Sequence, residues 1–282
     1  GRTRRWRRGC LAARLAAEEA ARKAAEDEAA RLAAANAQAT AETEAAAAAS
    51  TVQFLRPGTI VPKVSDCIEY GYSTFVMTEI LFVQGPVEVA IAECTEGMFI
   101  RKKCVVKANK KGPSLQVNDE YCVLTHIWRR NGDISIQFPM SYGRTGDYYV
   151  LASEYAGVDL CKIWEKKGAF SINAILLMLY EAIKILAQLM ELGVRHGDIK
   201  AQNLTCDENK CLKIIDFGNA EIKPKAHTPS GSPPYMARAT HKGNTDHPSD
   251  DVEGILWTAA ALMVPSGAKL PWFHEKKHMK LL

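Results

Sequence analysis

The 282-residue sequence lacks three features that would place it quickly. It has no uninterrupted apolar run of membrane-spanning length. The longest candidate, Ile175–Leu192, is broken by Glu181, Lys184, Gln188 and Glu191, and Ile255–Val264 falls short of the roughly 20 residues a spanning helix needs. It has no CxxC pair among its eight cysteines, which excludes a zinc ribbon or a dense disulfide framework and fits reduced thiols of an intracellular protein, cytoplasmic or nuclear. It also has no large excess of one charge. Lys and Arg number 36 against 32 Asp and Glu, so no global basic field calls for nucleic acid or an anionic membrane as partner. The chain opens on Gly1 rather than Met, as expected of a fragment or a processed product.

What is present falls into two materials. Between Leu11 and Ala49, 21 of 39 residues are Ala, and Glu, Arg and Lys supply most of the rest. Ala loses no side-chain entropy in a helix, and pairs such as Glu18–Arg22 and Glu19–Lys23 add i,i+4 support. Leu11, Leu15 and Leu32 do not build a heptad seam, so a solvated helical or flexible arm is expected over residues 1–54, with a partner-binding helix as the other reading.

From about Leu55 the composition becomes that of a packed domain. Strand patterns are expected at Phe75–Val83, Val87–Cys94, Met98–Lys107 and Tyr148–Ser153, with one helix-like interruption at Leu115–Trp128. Helical patterns follow at Ser171–Leu192, with Ser171 as N-cap, and at Asp250–Val264. A β-rich half ahead of an α-rich half predicts an α+β chain of two lobes with a cleft between them.

The chemistry concentrates in Val194-Arg-His-Gly-Asp-Ile-Lys-Ala-Gln-Asn203 and Leu212-Lys-Ile-Ile-Asp-Phe-Gly218. His196, Asp198, Lys200 and Asn203 stand at the spacing H-x-D-x-K-x-x-N, and Asp216-Phe217-Gly218 follows an apolar strand. This arrangement resembles the catalytic loop and metal triplet of protein kinases. Phosphoryl transfer needs positioning and charge neutralisation more than covalent help. Asp198 would take or orient the proton of a substrate hydroxyl, and Lys200 would neutralise charge on the transferred group. Asn203 and Asp216 offer hard oxygen ligands for Mg²⁺, and Gly218 permits the chain to reverse.

Further parts follow by distance. Lys107 ends the apolar run Cys104-Val-Val-Lys107, and Glu120 lies in the helix-like stretch where it can pair with that lysine. Two segments compete for the glycine-rich loop. Phe82-Val-Gln-Gly-Pro-Val-Glu-Val89 keeps Val89 and places Gly85 among Phe82, Gln84 and Val87, where glycines belong. Glu69–Val76 keeps Gly71. The first suits the distance to Lys107 better, and its bulky side chains would hinder backbone amides from closing over phosphates.

Residues 55–272 resemble protein kinases of the casein kinase 1 group, which includes the tau-tubulin and vaccinia-related kinases. Leu55-Arg-Pro-Gly-Thr-Ile-Val61, Cys104–Lys107 with Gly112-Pro113, His196-Gly-Asp-Ile-Lys200, Glu154-Tyr-Ala-Gly-Val-Asp-Leu160 and Gly231–Gly243 through Asp250–Glu253 carry the likeness. The resemblance implies a bilobal kinase fold over 55–282, with a β-rich N-lobe to residue 153, a hinge at 154–159 and a helical, truncated C-lobe over 160–282. It implies ATP and Mg²⁺ as cofactors and a protein Ser/Thr hydroxyl as acceptor. Gly85, Val89, Lys107, Glu120, Ser153, Glu154, Ala156 and Asp216 would bind ATP, with Ser153 as the small side chain behind the adenine pocket. Asp251 would support the catalytic loop from a buried helix, and Leu270-Pro-Trp272 would follow that helix. The group lacks the Ala-Pro-Glu triplet found in most kinases, as does Ala237-Arg238-Ala239 here. Gly197 stands where an Arg commonly binds an activation-loop phosphate, so activation independent of phosphorylation is expected. The altered glycine loop and the chain end ten residues after Trp272 keep a second reading open, a non-catalytic kinase-fold binding module.

Overall fold

The protein was analysed as a computed structural model, which describes residues 54–65, 71–110, 116–223, 231–241 and 247–265. The Ala-rich arm, Gly112-Pro113, Thr228, Ser230 and Leu270–Trp272 lie outside the described residues.

Six antiparallel strands build the first half: β1 (Ile60–Ser65), β2 (Tyr72–Gln84), β3 (Val87–Glu96), β4 (Lys103–Lys110), β5 (Pro139–Thr145) and β6 (Tyr148–Glu154), ordered β1-β2-β3-β4-β6-β5. Successive side chains of a strand point to opposite faces. One face carries Ala90, Ala92, Cys94, Cys104, Val106, Ala108, Val150 and Ala152, which join Leu55, Val61, Phe75, Met77 and Met140 in a closed apolar core. The alternate positions Val89, Ile91, Val105, Lys107, Leu151 and Ser153 belong to the other face, where Lys107 pairs in register with Val89 and Leu151. Gly143 of β5 lies against Val64 of β1, so the sheet curls until its two edge strands meet.

The expected strand Met98–Lys107 is shorter than its apolar run suggests. Gly97, at φ +98°, and Arg101, at φ +63°, bound a turn, and the strand begins at Lys103. A Cβ on Gly97 would lie 2.4 Å from the Tyr72 carbonyl oxygen, so this corner requires glycine. Phe99 produced the strand-like pattern, but it anchors the turn by edge-on contact with Phe138.

The chain enters this sheet through a buried clasp. Both oxygens of Glu88 on β3 accept main-chain N–H groups, from Phe54 at 2.9 Å and Leu55 at 2.6 Å, and the Phe54 ring stacks on Tyr148. Phe54 therefore belongs with the folded unit.

Helix α1 (Gln116–Trp128) connects β4 to β5 and buries Val117, Glu120, Val123, Leu124 and Ile127. A carboxylate on this otherwise apolar stripe needs a partner. Beyond β6 the link Tyr155–Gly157 leads to β7 (Val158–Asp159) and α2 (Leu160–Lys167), which Asp159 caps through the Lys162 N–H at 2.9 Å. Helix α3 (Ile172–Glu191) is capped by Ser171 as expected, through the Ala174 N–H at 3.3 Å. By length and composition α3 is apolar enough to cross a membrane, its polar residues notwithstanding. In the structure it buries Ile175, Met178, Ala182, Ile185, Leu186 and Leu189 in a core shared with α5 (Asp250–Leu262). At about 1.5–3 kcal/mol for each fully buried large apolar side chain, this is among the main sources of stability in the second half.

Between these helices run short strands that carry the polar loops. They are β8 (Val194–Arg195), β9 (Leu204–Cys206), β10 (Leu212–Ile214) and β11 (Glu221–Ile222). Strand β10 pairs with β9 and β9 with β7, while β11 pairs with β8; α4 (Arg238–His241) precedes α5.

Candidate active site

The roof of the site is the β2–β3 hairpin. Gln84 pairs with Val87, leaving only Gly85 and Pro86 in the turn, and Gly85 at φ +58° supplies the left-handed backbone such a tight turn needs. Gly71 sits immediately before β2, at the far end of its 13 residues, so the turn falls at Gly85 and not at the competing segment. Phe82 and Gln84 occupy paired positions on β2, and the Lys110 N–H donates to the Pro86 carbonyl at 3.1 Å, tying the turn to β4.

Below the roof, Lys107 reaches two carboxylates. Its Nζ lies 2.5 Å from Glu120 Oε2 on α1 and 2.8 Å from Asp216 Oδ1. Burial opposes the charge on Lys107, but Glu120 and Asp216 outweigh it and raise the pKa. Burial pushes the Glu120 carboxyl up, against the pull of Lys107. Burial would also raise Asp216, yet Lys107, with help from His196 and Lys200, holds its carboxyl down at about 2. Asp216 has φ +64°, a left-handed conformation that costs a non-glycine residue about 1–2 kcal/mol. Contacts around it must hold it there.

The second polar group is built on the loop after β8. Asp251 of α5, 4% exposed, accepts the main-chain N–H groups of His196 (2.6 Å) and Gly197 (2.9 Å). Burial pushes its carboxyl up, while His196 and these two N–H groups oppose the rise. The His196 ring is fixed on both sides. Nδ1 accepts from the Asp198 N–H at 3.2 Å, so Nε2 carries the proton that bonds the Ile215 carbonyl at 3.0 Å. Its ring also meets buried Phe217 edge-on. Gly197 adopts φ +78°, and a Cβ there would lie 2.8 Å from the Asn219 carbonyl oxygen.

Asp198, Lys200 and Asn203 form one network. Lys200 Nζ donates to Asp198 Oδ2 at 2.7 Å, and Asn203 Nδ2 donates to the Asp198 carbonyl at 2.8 Å. The Ser232 N–H donates to Asp198 Oδ1 at 2.8 Å, while its hydroxyl accepts from Lys200 Nζ at 2.9 Å. The two groups join through Ile215, whose N–H donates to the Asn203 carbonyl at 3.0 Å and whose carbonyl takes the His196 bond. Asp198 and Asp216 thus sit on two loops stitched together one residue before Asp216.

At the rear of the cleft face, Ser153 is buried and pairs with Val105. Glu154 accepts from Lys213 Nζ at 2.5 Å and from the Phe138 N–H at 3.2 Å, and Ala156 is buried in the link between the halves.

A protein kinase domain family model matches residues 84–281, from the last residue of β2 onward. This chain belongs to the protein kinase family. Casein kinase 1-like protein HD16 of Oryza sativa subsp. japonica is 32% identical over 161 residues, which is 50% of this chain and 22% of that protein. The human ribosomal protein S6 kinase-related protein is 31% identical over 199 residues, 68% of this chain and 46% of that protein. The kinase therefore spans less than half the length of either relative. Among solved structures, the Cydia pomonella granulovirus kinase PK-1 shares the fold at a TM-score of 0.56 and 17% identity, covering 67% of this chain and 68% of that one.

The kinase-domain site has a donor set of a particular kind. Among the described residues no three His, Cys, Asp or Glu side chains are grouped to hold a metal ion. Asn203 turns its amide nitrogen toward Asp198, which leaves its amide oxygen for another partner, and the Asp216 side chain is 40% exposed. The Asn203 amide oxygen and the partly exposed Asp216 carboxylate are hard oxygens of the kind that suits Mg²⁺, which takes its remaining ligands from phosphate and water. Ser232 and Gln137 were not among the expected site residues. Ser232 lies in a segment that sequence marks only as the end of an activation segment. Gln137 stands alone between Ile136 and Phe138, and nothing near it signals a role.

Proposed function

We propose that this kinase domain transfers the γ-phosphoryl group of Mg·ATP to a Ser or Thr hydroxyl of a protein, and that it belongs to the casein kinase 1 group. The observation that carries the activity is the placement of Lys107 between Glu120 and Asp216, 2.5 and 2.8 Å away. A structural scaffold has no need to gather a buried lysine and two carboxylates on the face of the sheet that looks into the cleft. In this reading Lys107 holds the α- and β-phosphates, and Asn203 and Asp216 hold Mg²⁺, which when bound neutralises phosphate charge. Asp198 orients the acceptor hydroxyl and takes its proton. Lys200, held by Asp198 and Ser232, offsets charge on the group in flight. Val89, Ser153, Glu154 and Ala156 surround the purine, beneath the Gly85 turn. The 32% identity to the casein kinase 1-like protein and the match of Glu154–Leu160 to that group's hinge support the finer placement.

One observation favours the second reading, a nucleotide-binding module without transfer. The roof closes in a two-residue turn flanked by Gln84 and Val87, so fewer free main-chain amides face the phosphates. A radiolabelled transfer assay with Asp198→Asn as control separates the two. Incorporation lost in the variant supports the enzyme. Equal incorporation in both removes it, and thermal stabilisation by Mg·ATP without transfer establishes the binding module.

A further inference from the structure

Gln137 is buried between α1 and β5, and its main chain is fixed to the strand that leads into Asp216: its N–H donates to the Ile214 carbonyl at 3.1 Å. Its side chain spans two elements. Nε2 donates to Glu120 Oε1 at 2.9 Å, and Oε1 accepts the main-chain N–H of Asp216 at 3.1 Å. The amide can face only this way. The Glu120 carboxylate beside Lys107 accepts, and the peptide N–H of Asp216 donates. The other oxygen of Glu120 takes Lys107, and Lys107 returns to the Asp216 carboxylate. The bonds therefore close a ring that runs from Lys107 to Glu120, to Gln137, to the Asp216 main chain and back through its side chain.

We propose that Gln137 is a positioning residue that makes the docking of α1 and the left-handed turn at Asp216 a single event. If Glu120 withdraws with its helix, the amide nitrogen loses its acceptor and the amide is free to rotate, and the Asp216 N–H loses its acceptor in turn. If Asp216 leaves its left-handed conformation, Gln137 and Lys107 both release Glu120. A Lys107–Glu120 pair alone couples only side chains. Gln137 extends the coupling to the backbone dihedral at Asp216, and side chains that satisfy only one partner cannot do so. The functional meaning of this coupling rests on Asp216 as the metal carboxylate, but its test does not use phosphate transfer.

The measurement is amide hydrogen exchange by NMR on the ligand-free full chain, comparing Asp216 with its neighbour Ile215. Gln137→Met should speed exchange at Asp216 at least tenfold and leave Ile215, bonded to Asn203, unchanged. Gln137→Asn, too short to reach both partners yet still polar, is the second variant and should show the same selective opening. Glu120→Ala should speed exchange at Asp216 in the native background and add nothing in Gln137→Met. An Asp216 rate unaltered in both Gln137 variants, or one that rises only in step with Ile215, overturns the inference. So does a Glu120→Ala effect equal in the two backgrounds. Failure of the wild-type chain to transfer phosphate would remove the enzymatic reading and leave these exchange results standing.

Discussion

A Cβ atom placed on Gly231 would lie 2.3 Å from the carbonyl oxygen of Gly197, and both glycines have positive φ, +103° and +78°. The segment that brings Ser232 onto Asp198 thus passes the Gly197 carbonyl at a distance that only glycine at 231 permits. Gly231→Ala is expected to displace Ser232, costing about 1–3 kcal/mol in local strain and lowering kcat by roughly tenfold or more. Steady-state kinetics should show KM for ATP little changed, because the roof and Lys107 are untouched.

Removing the Lys107 charge leaves Glu120 and Asp216 facing each other uncompensated. Lys107→Met should abolish detectable transfer and lower thermal stability. The pH dependence carries a sign. Asp216 is held at about 2 in the folded protein against 3.8 ordinarily, so its contribution to stability is present above about pH 4 and fades as pH falls toward 2. In Lys107→Met this acid loss should shrink, as followed by circular-dichroism melts across that window.

Phosphorylation and hydrogen bonding at the activation segment separate cleanly. Thr228→Ala with Ser230→Ala should leave the activity of phosphatase-treated protein intact, since Gly197 presents no guanidinium to a phosphate. Ser232→Ala removes one of the two acceptors of Lys200 and should lower kcat by about tenfold, the scale of one hydrogen bond. A total loss when Thr228, Ser230 and Ser232 are all changed to Ala, beyond the roughly tenfold due to Ser232 alone, would refute phosphorylation independence.

How much of this was legible in the sequence follows from how local each contact is. Asp198, Lys200 and Asn203 lie within six residues, and their spacing alone groups them. Lys107 and Glu120 are 13 residues apart, within reach of one strand followed by one helix. Gln137 bonds to residues 17 and 79 positions away, and no local pattern encodes such a meeting. The start of the expected strand, Met98–Arg101, has a strand pattern because Phe99 is apolar, whereas Phe99 is packed on Phe138 from a turn. Strands β1 and β5 carry little strand signal, because Pro62 and Lys63 interrupt β1 and Pro139 opens β5.

Ser153 should admit nucleotides that larger residues exclude. N6-enlarged purine analogues are expected to compete with ATP for the wild-type domain. Ser153→Met should weaken that competition by about tenfold or more, through overlap in a closely packed wall. Inhibition constants for one analogue against both proteins decide it.

The Glu88 clasp has a practical outcome for anyone handling this domain. Its carboxylate sits on the strand next to Val89 and accepts the main-chain N–H groups of Phe54 and Leu55. Trimming the polypeptide to start at Arg56 would strip both donors and leave an acid buried in the sheet without them.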